Sequence, residues 1–244
     1  MTPKSRHDAK VVLALQWTGV MGWTTGPLIR QALGVRSNNF PMLLRSKGLL
    51  DSTEIPGLPF GLFWLTAEGR DLASMYLERP VSAPARMDKL GSSYLSHDLM
   101  TQQALLASLE GIAQRNSSAV DLGAFLHHAR ESRDLVGVDS WSRPDILYVN
   151  PDTNVAYGLE CERSQKGQRE LNGKMHRLLR FAGSQGFSHF AVEFAIRGSK
   201  KTIDRYRRVW ADVLEEAVRD GLSLEDATRV NCRFRAVESY LGTR

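Results

Sequence analysis

The chain has 244 residues, 32 lysines and arginines against 27 acids, a formal net charge of +5 and 42% hydrophobic residues. That length suffices for one large domain or two modest ones with a true core, and the balance excludes collagen-like, disordered and disulfide-scaffold proteins. No apolar run approaches the ~20 residues of a bilayer span, and the two cysteines, Cys161 and Cys232, sit in no CxxC or Cys/His cluster, so reduced thiols in a cytoplasmic protein are expected.

In chain order, the first ten residues are polar and mixed in charge, with no apolar signal core behind them, so the protein is expected to stay where it is made. Asp8 to Val20 reads as a helix with Val11, Val12 and Leu15 on one face. Thr24-Thr25-Gly-Pro27 is a helix start, and the helix through Leu28, Ile29 and Leu33 ends at Gly34. After the polar break Arg36-Ser-Asn-Asn39, a third helix carries Phe40, Leu43 and Leu44 inward and stops at Gly48. Leu49-Leu50, a Pro/Gly turn from Ile55 to Pro59, a strand from Phe60 to Leu65 and a helix from Thr66 follow.

Charge is uneven along the chain. Residues 1–95 hold 11 basic and 7 acidic residues, the remainder 21 and 20, so the first third is the part expected to meet a polyanion. The stretches "FPMLLRSKGLL" and "FWLTAEGRDLA" resemble the winged helix-turn-helix domains of bacterial regulators. That resemblance makes the third helix the reader of a major groove. Ser37, Asn38 and Asn39 would reach base edges, and Arg36, Arg45 and Lys47 would hold phosphates. A winged helix used only for protein contacts is the alternative.

The segment Glu78 to Ser93, with two prolines, a glycine and no apolar period, reads as a linker. The organisation expected is a DNA-binding domain over residues 1–80, a linker over 81–94 and a second domain over 95–244. In that domain a helix from Ser96 to Glu110 precedes three strand-like runs, Ala124 to Ala129, Ile146 to Val149 and Val155 to Cys161. An amphipathic helix from Glu170 to Gln185, an apolar strand from His189 to Ile196 and a helix from Lys201 to Arg219 complete the order α-β-β-β-α-β-α.

Arg143-Pro-Asp145 precedes one strand, and the next ends in Glu160-Cys161-Glu162. Strand alternation sets Glu160 and Glu162 on one face, and a hairpin through Asn150 to Asn154 would bring Asp145 across from them. Three converging carboxylates need a cation, and an all-oxygen set selects Mg²⁺ or Mn²⁺. Surface carboxylates partnered by Arg143 and Arg163 are the plainer reading.

"PD", fourteen residues, then "ExE" in this strand order resembles the PD-(D/E)xK nuclease superfamily, in which most members have "ExK". The fold implied is α/β (α+β overall): an N-terminal winged helix followed by a restriction-endonuclease-like domain with a central mixed sheet. The missing lysine can come from the next helix as Lys174, with Lys166 in the loop second. His97 opens the helix before the sheet, where such nucleases often place a further polar site residue; it can equally be a helix cap.

The whole pattern, a winged helix, "HDLxxQ" and "RPD…ExE…K", is similar to the replication-relaxation proteins of mobile elements, above all the MobC-class mobilization relaxases. This resemblance implies a metal-dependent nickase acting on double- and single-stranded DNA at a plasmid transfer origin, with an accessory DNA-binding protein and a coupling ATPase as partners, and no membrane. The His-hydrophobic-His motif of better-known relaxases is missing: His127 and His128 are adjacent, and Tyr148 faces away from Asp145. The rival reading is an inactive winged-helix DNA-binding regulator or replication accessory protein, favoured by glutamate in place of the family lysine. The basic run Lys200-Lys201, Arg205, Arg207 and Arg208 can track DNA backbone or simply be a solvated helix face.

Overall fold

The computed structural model describes residues 3–55, 60–83, 92–116, 120–131 and 144–237. Arg143, Trp141, the turn residues 56–59 and the centre of the expected linker, 84–91, lie outside the described residues. The chain is mixed α/β and clusters into two compact units, residues 1–127 and 128–244. Among the described residues no helix is long and apolar enough to cross a membrane.

In the first unit α1 (Pro3–Met21) buries Ala14, Trp17, Thr18 and Met21, spaced at helical intervals, and Gly22 ends it at φ +75°. Gly19 lets the helix α4 (Ala67–Leu77) approach closely, since a Cβ there would meet Ala73 Cβ at 3.3 Å. The remaining elements are β1 (Trp23–Thr25), α2 (Gly26–Leu33), α3 (Phe40–Ser46), β2 (Leu50–Thr53), β3 (Leu62–Leu65) and α4 (Ala67–Leu77). The three strands form an antiparallel sheet in the order β1-β3-β2. Thr66 caps α4 by accepting from Gly69 N, and its own hydroxyl donates to Gly48 O at 2.6 Å.

Two expectations change here. Leu43 is 39% exposed rather than inward, because the seven-residue α3 buries only Phe40, Pro41 and Leu44. The helix expected from Ser96 is α5 (Ser92–Asn116), and it packs within the first unit: Gln102 Nε2 donates to Trp23 O at 2.7 Å. The division between units therefore falls at His127/His128, whereas the sequence pattern starts the second domain at residue 95.

The run Ala124 to Ala129, expected as a strand, forms α6 (Leu122–His128) followed by the short β4 (Ala129–Glu131). Asp121 decides this locally: its carboxylate accepts from Ala124 N at 3.0 Å and starts a helix turn that the short apolar run then follows.

The second unit is built on a mixed five-stranded sheet, order β4-β5-β6-β7-β8, with β5 (Ile146–Val149), β6 (Val155–Glu162), β7 (His189–Ile196) and β8 (Val230–Ala236). β4-β5 and β5-β6 pair antiparallel; β6-β7 and β7-β8 pair parallel through α7 (Gln168–Gln185) and through α8 (Lys200–Arg219) with α9 (Leu224–Arg229). Leu147, Ala156, the even-numbered residues of β7 and Val230 share one face and pack under Leu171, Met175, Leu178, Tyr206, Val209 and Val213. Leu159 and Cys161, on the opposite face of β6, are buried as well, as a central strand requires.

Candidate active site

β5 and β6 set the carboxylates by register alone. Ile146 pairs with Leu159, so one further step places Asp145 opposite Glu160. The ladder stops there, and the Asp145 carboxylate takes up the acceptor role, receiving Cys161 N–H at 2.8 Å. Glu160 and Glu162 follow on the same face of β6 and are 5% and 3% exposed. Gly158 keeps this corner narrow, because a Cβ there would meet Pro144 at 3.1 Å and the Phe190 ring at 3.2 Å.

The loop 163–167 turns the chain back over the end of β6 into α7. The apolar stripe of α7 begins at Leu171 and continues through Met175 and Leu178, and Lys174 lies along it, one helical turn from Leu171 and Leu178. Its ammonium donates to Glu162 Oε1 at 2.7 Å and also to Glu160 Oε1. Lys166 Nζ lies 3.6 Å from the other oxygen of Glu162 and 3.0 Å from Glu170. The structure thus brings together Asp145, Glu160, Glu162, Lys174 and Lys166.

Burial, reinforced by the charge of Asp145, pushes the Glu160 carboxyl up to about 8, against the pull of Lys174. Burial alone would lower Lys174, but Glu160, Glu162 and Asp145 together hold it well above the usual lysine range. Glu170 is lowered by its hydrogen bond from Lys166.

Tyr206 is a residue the sequence reading missed. It is fully buried on α8, its hydroxyl makes no well-formed hydrogen bond among the described residues, and burial together with the nearby charge of Glu162 raises its pKa against the pull of Lys174 and the Lys166 backbone. Its neighbours on α8 tie down the loop: Arg205 donates to Lys166 O at 2.8 Å, and Thr202 accepts from Gln165 Nε2 at 3.0 Å. The position of Tyr206 on the apolar stripe of α8, four residues after Thr202 and three before Val209, was the available signal.

His97 lies on α5 in the first unit, where Nδ1 stands 3.4 Å from Asp98 Oδ1. Arg36, Ser37, Asn38, Asn39, Arg45 and Lys47 are all exposed, in and around the turn that leads into α3 and at its far end; Ser37 Oγ accepts from Asn39 N at 3.3 Å. In the basic run, Lys200, Lys201, Arg207 and Arg208 are exposed, with Arg207 paired to Asp204 at 3.1 Å.

Asp145, Glu160 and Glu162 supply the oxygen-only donors that suit Mg²⁺ or Mn²⁺. Among the described residues, no three His, Cys, Asp or Glu side chains are arranged to hold a metal ion; the Lys174 ammonium bridges the two glutamates instead. No family model, curated protein or solved structure matches the chain.

Proposed function

We propose that this protein is a metal-dependent DNA nickase whose first unit selects the DNA and whose second unit cuts one strand. The observation that carries the reading is the meeting of Asp145, Glu160, Glu162 and Lys174, four residues from two strands and a helix, at one buried corner. The separation of their charges makes sense for phosphodiester chemistry. The strands supply carboxylates for a divalent cation, and the helix supplies a cation for the attacked phosphate. Bound Mg²⁺ or Mn²⁺ would polarise the phosphodiester and make water acidic enough to act as nucleophile. Asp145, Glu160 and Glu162 would hold the ion, and Lys174 would face the phosphate charge that develops during attack.

The order α1-β1-α2-α3-β2-β3 with an antiparallel β1-β3-β2 sheet supports reading the first unit as a winged helix. The exposed Ser37, Asn38 and Asn39 would then read bases, with Arg36, Arg45 and Lys47 on phosphates. The crossovers of the second unit support a restriction-endonuclease-like domain. The substrate, by resemblance to MobC-class relaxases, is a plasmid transfer origin, with an accessory DNA-binding protein and a coupling ATPase as partners. The second reading, an inactive winged-helix regulator, is favoured by the absence of a metal-holding group among the described residues.

Supercoiled plasmid carrying a candidate origin tests the two readings. Asp145→Asn keeps an acceptor for Cys161 N–H while removing the charge, so it should fold and bind DNA. The nickase reading expects open circles with Mg²⁺ or Mn²⁺ that disappear with EDTA or with this variant. A gel shift with intact plasmid in every lane would give the protein to the regulator class.

A further inference from the structure

Lys174 is held from two sides. Its ammonium is 2.7 Å from Glu162 Oε1 and bonds Glu160 Oε1 too, and its side chain is only 18% exposed. The two glutamates are two residues apart on one strand face and almost closed to water, with Asp145 across the register step. Carboxylates so placed require a cation among them, and in this arrangement that cation is the lysine's. Lys166 has contacts of 3.6 Å to the other oxygen of Glu162 and 3.0 Å to Glu170, so the ammonium between the two glutamates is that of Lys174. A divalent ion using either of those Oε1 atoms would meet the ammonium within a few ångströms, where like charges repel by several kcal/mol even at an effective dielectric constant of about 20.

We propose that Lys174 is a resident counter-ion that competes with the divalent cation for Glu160 and Glu162, so that the metal binds only as the ammonium is displaced. This rests on the reading of the corner as a metal-dependent nuclease site. Lys174 is on this view a positioning residue in the metal-free protein, keeping the two glutamates folded inward and closed to adventitious ions.

Mn²⁺ titration followed by electron paramagnetic resonance of the free ion tests this without any cleavage. Lys174→Met, which preserves the chain's bulk and removes its charge, should bind Mn²⁺ about tenfold or more tightly than the native protein, and Lys174→Arg should stay near native affinity. Equal or weaker binding by Lys174→Met would overturn the competition while leaving the metal site intact. Absence of Mn²⁺ binding in native and variant alike would overturn the competition and the metal-dependent reading together. If Lys174→Met fails to fold, the comparison passes to Glu160→Gln/Lys174→Met against Glu160→Gln, where one buried acid is already neutral, and the same ordering is required.

Discussion

Replacing Glu160 by glutamine removes a buried acid whose pKa stands at about 8 in the folded chain against an ordinary 4.5. A carboxyl raised on folding holds its proton more tightly in the native state. Its stabilising contribution is therefore complete below about 4.5 and is lost as pH rises towards 8. At about 1.36 kcal/mol per pH unit, that gap caps the effect at about 5 kcal/mol, and relaxation of the corner as Glu160 ionises should leave about 2–4 kcal/mol. Lys174, raised in the same site, stays charged throughout this window and adds no slope. The exposed Glu170, lowered by Lys166, is ionised in both states at the upper end. Glutamine keeps a polar group against Lys174 and does not titrate. Urea unfolding in EDTA, followed by far-ultraviolet circular dichroism at pH 5 and pH 8, should show native stability falling more steeply than that of Glu160→Gln. The difference between the two proteins should grow by the amount above as pH rises. Parallel curves would refute the argument, because they would mean that Glu160 is ionised in the folded state across the whole range.

Two further substitutions probe the packing around the sites. Gly69→Ala would set a Cβ 2.1 Å from Leu49 O, at the point where Thr66 straps α4 to Gly48; a loss of more than about 3 kcal/mol is expected, and an unchanged melting temperature would contradict it. Tyr206→Phe removes a buried hydroxyl that makes no well-formed hydrogen bond among the described residues, so unfolding free energy should be unchanged or higher by about 1 kcal/mol. A clear loss in that measurement would reveal a hydrogen bond made by the hydroxyl.

The carboxylate corner was legible because it depends on alternation and on one hairpin, both of which a sequence displays. Asn150 to Asn154 turns the chain, and register then carries Asp145 to Glu160 without help from distant residues. Lys174 was legible for a related reason, since its spacing from Leu171 and Leu178 ties it to the buried stripe. The losses are equally physical. α6 is a short apolar run, for which periodicity cannot separate helix from strand, and Asp121 settles it through a single hydrogen bond. β1 is three residues long, too short to show a period, and its last residue, Thr25, is also the N-cap of α2 that Thr24 to Pro27 announce in the sequence. β8 alternates Val230, Cys232 and Phe234 with Asn231, Arg233 and Arg235, a period-two signal that was present but sat after a long helix and was not taken up. Tyr206 enters the corner from α8, more than forty residues beyond Glu162, and only the folded packing brings the two together.

β6 ends in Glu162, and the positive charge beside it comes from Lys174 of α7. Three carboxylates against the ammoniums of Lys174 and Lys166 leave one negative charge when all are ionised, and burial holds the Glu160 carboxyl up to about 8. Lys174 reaches the carboxylates from the first turns of α7 only through its flexible four-carbon side chain, so rotamer changes alone can carry the ammonium away. The proposed exchange of that ammonium for a divalent ion would therefore ask for no movement of the sheet or of the helix.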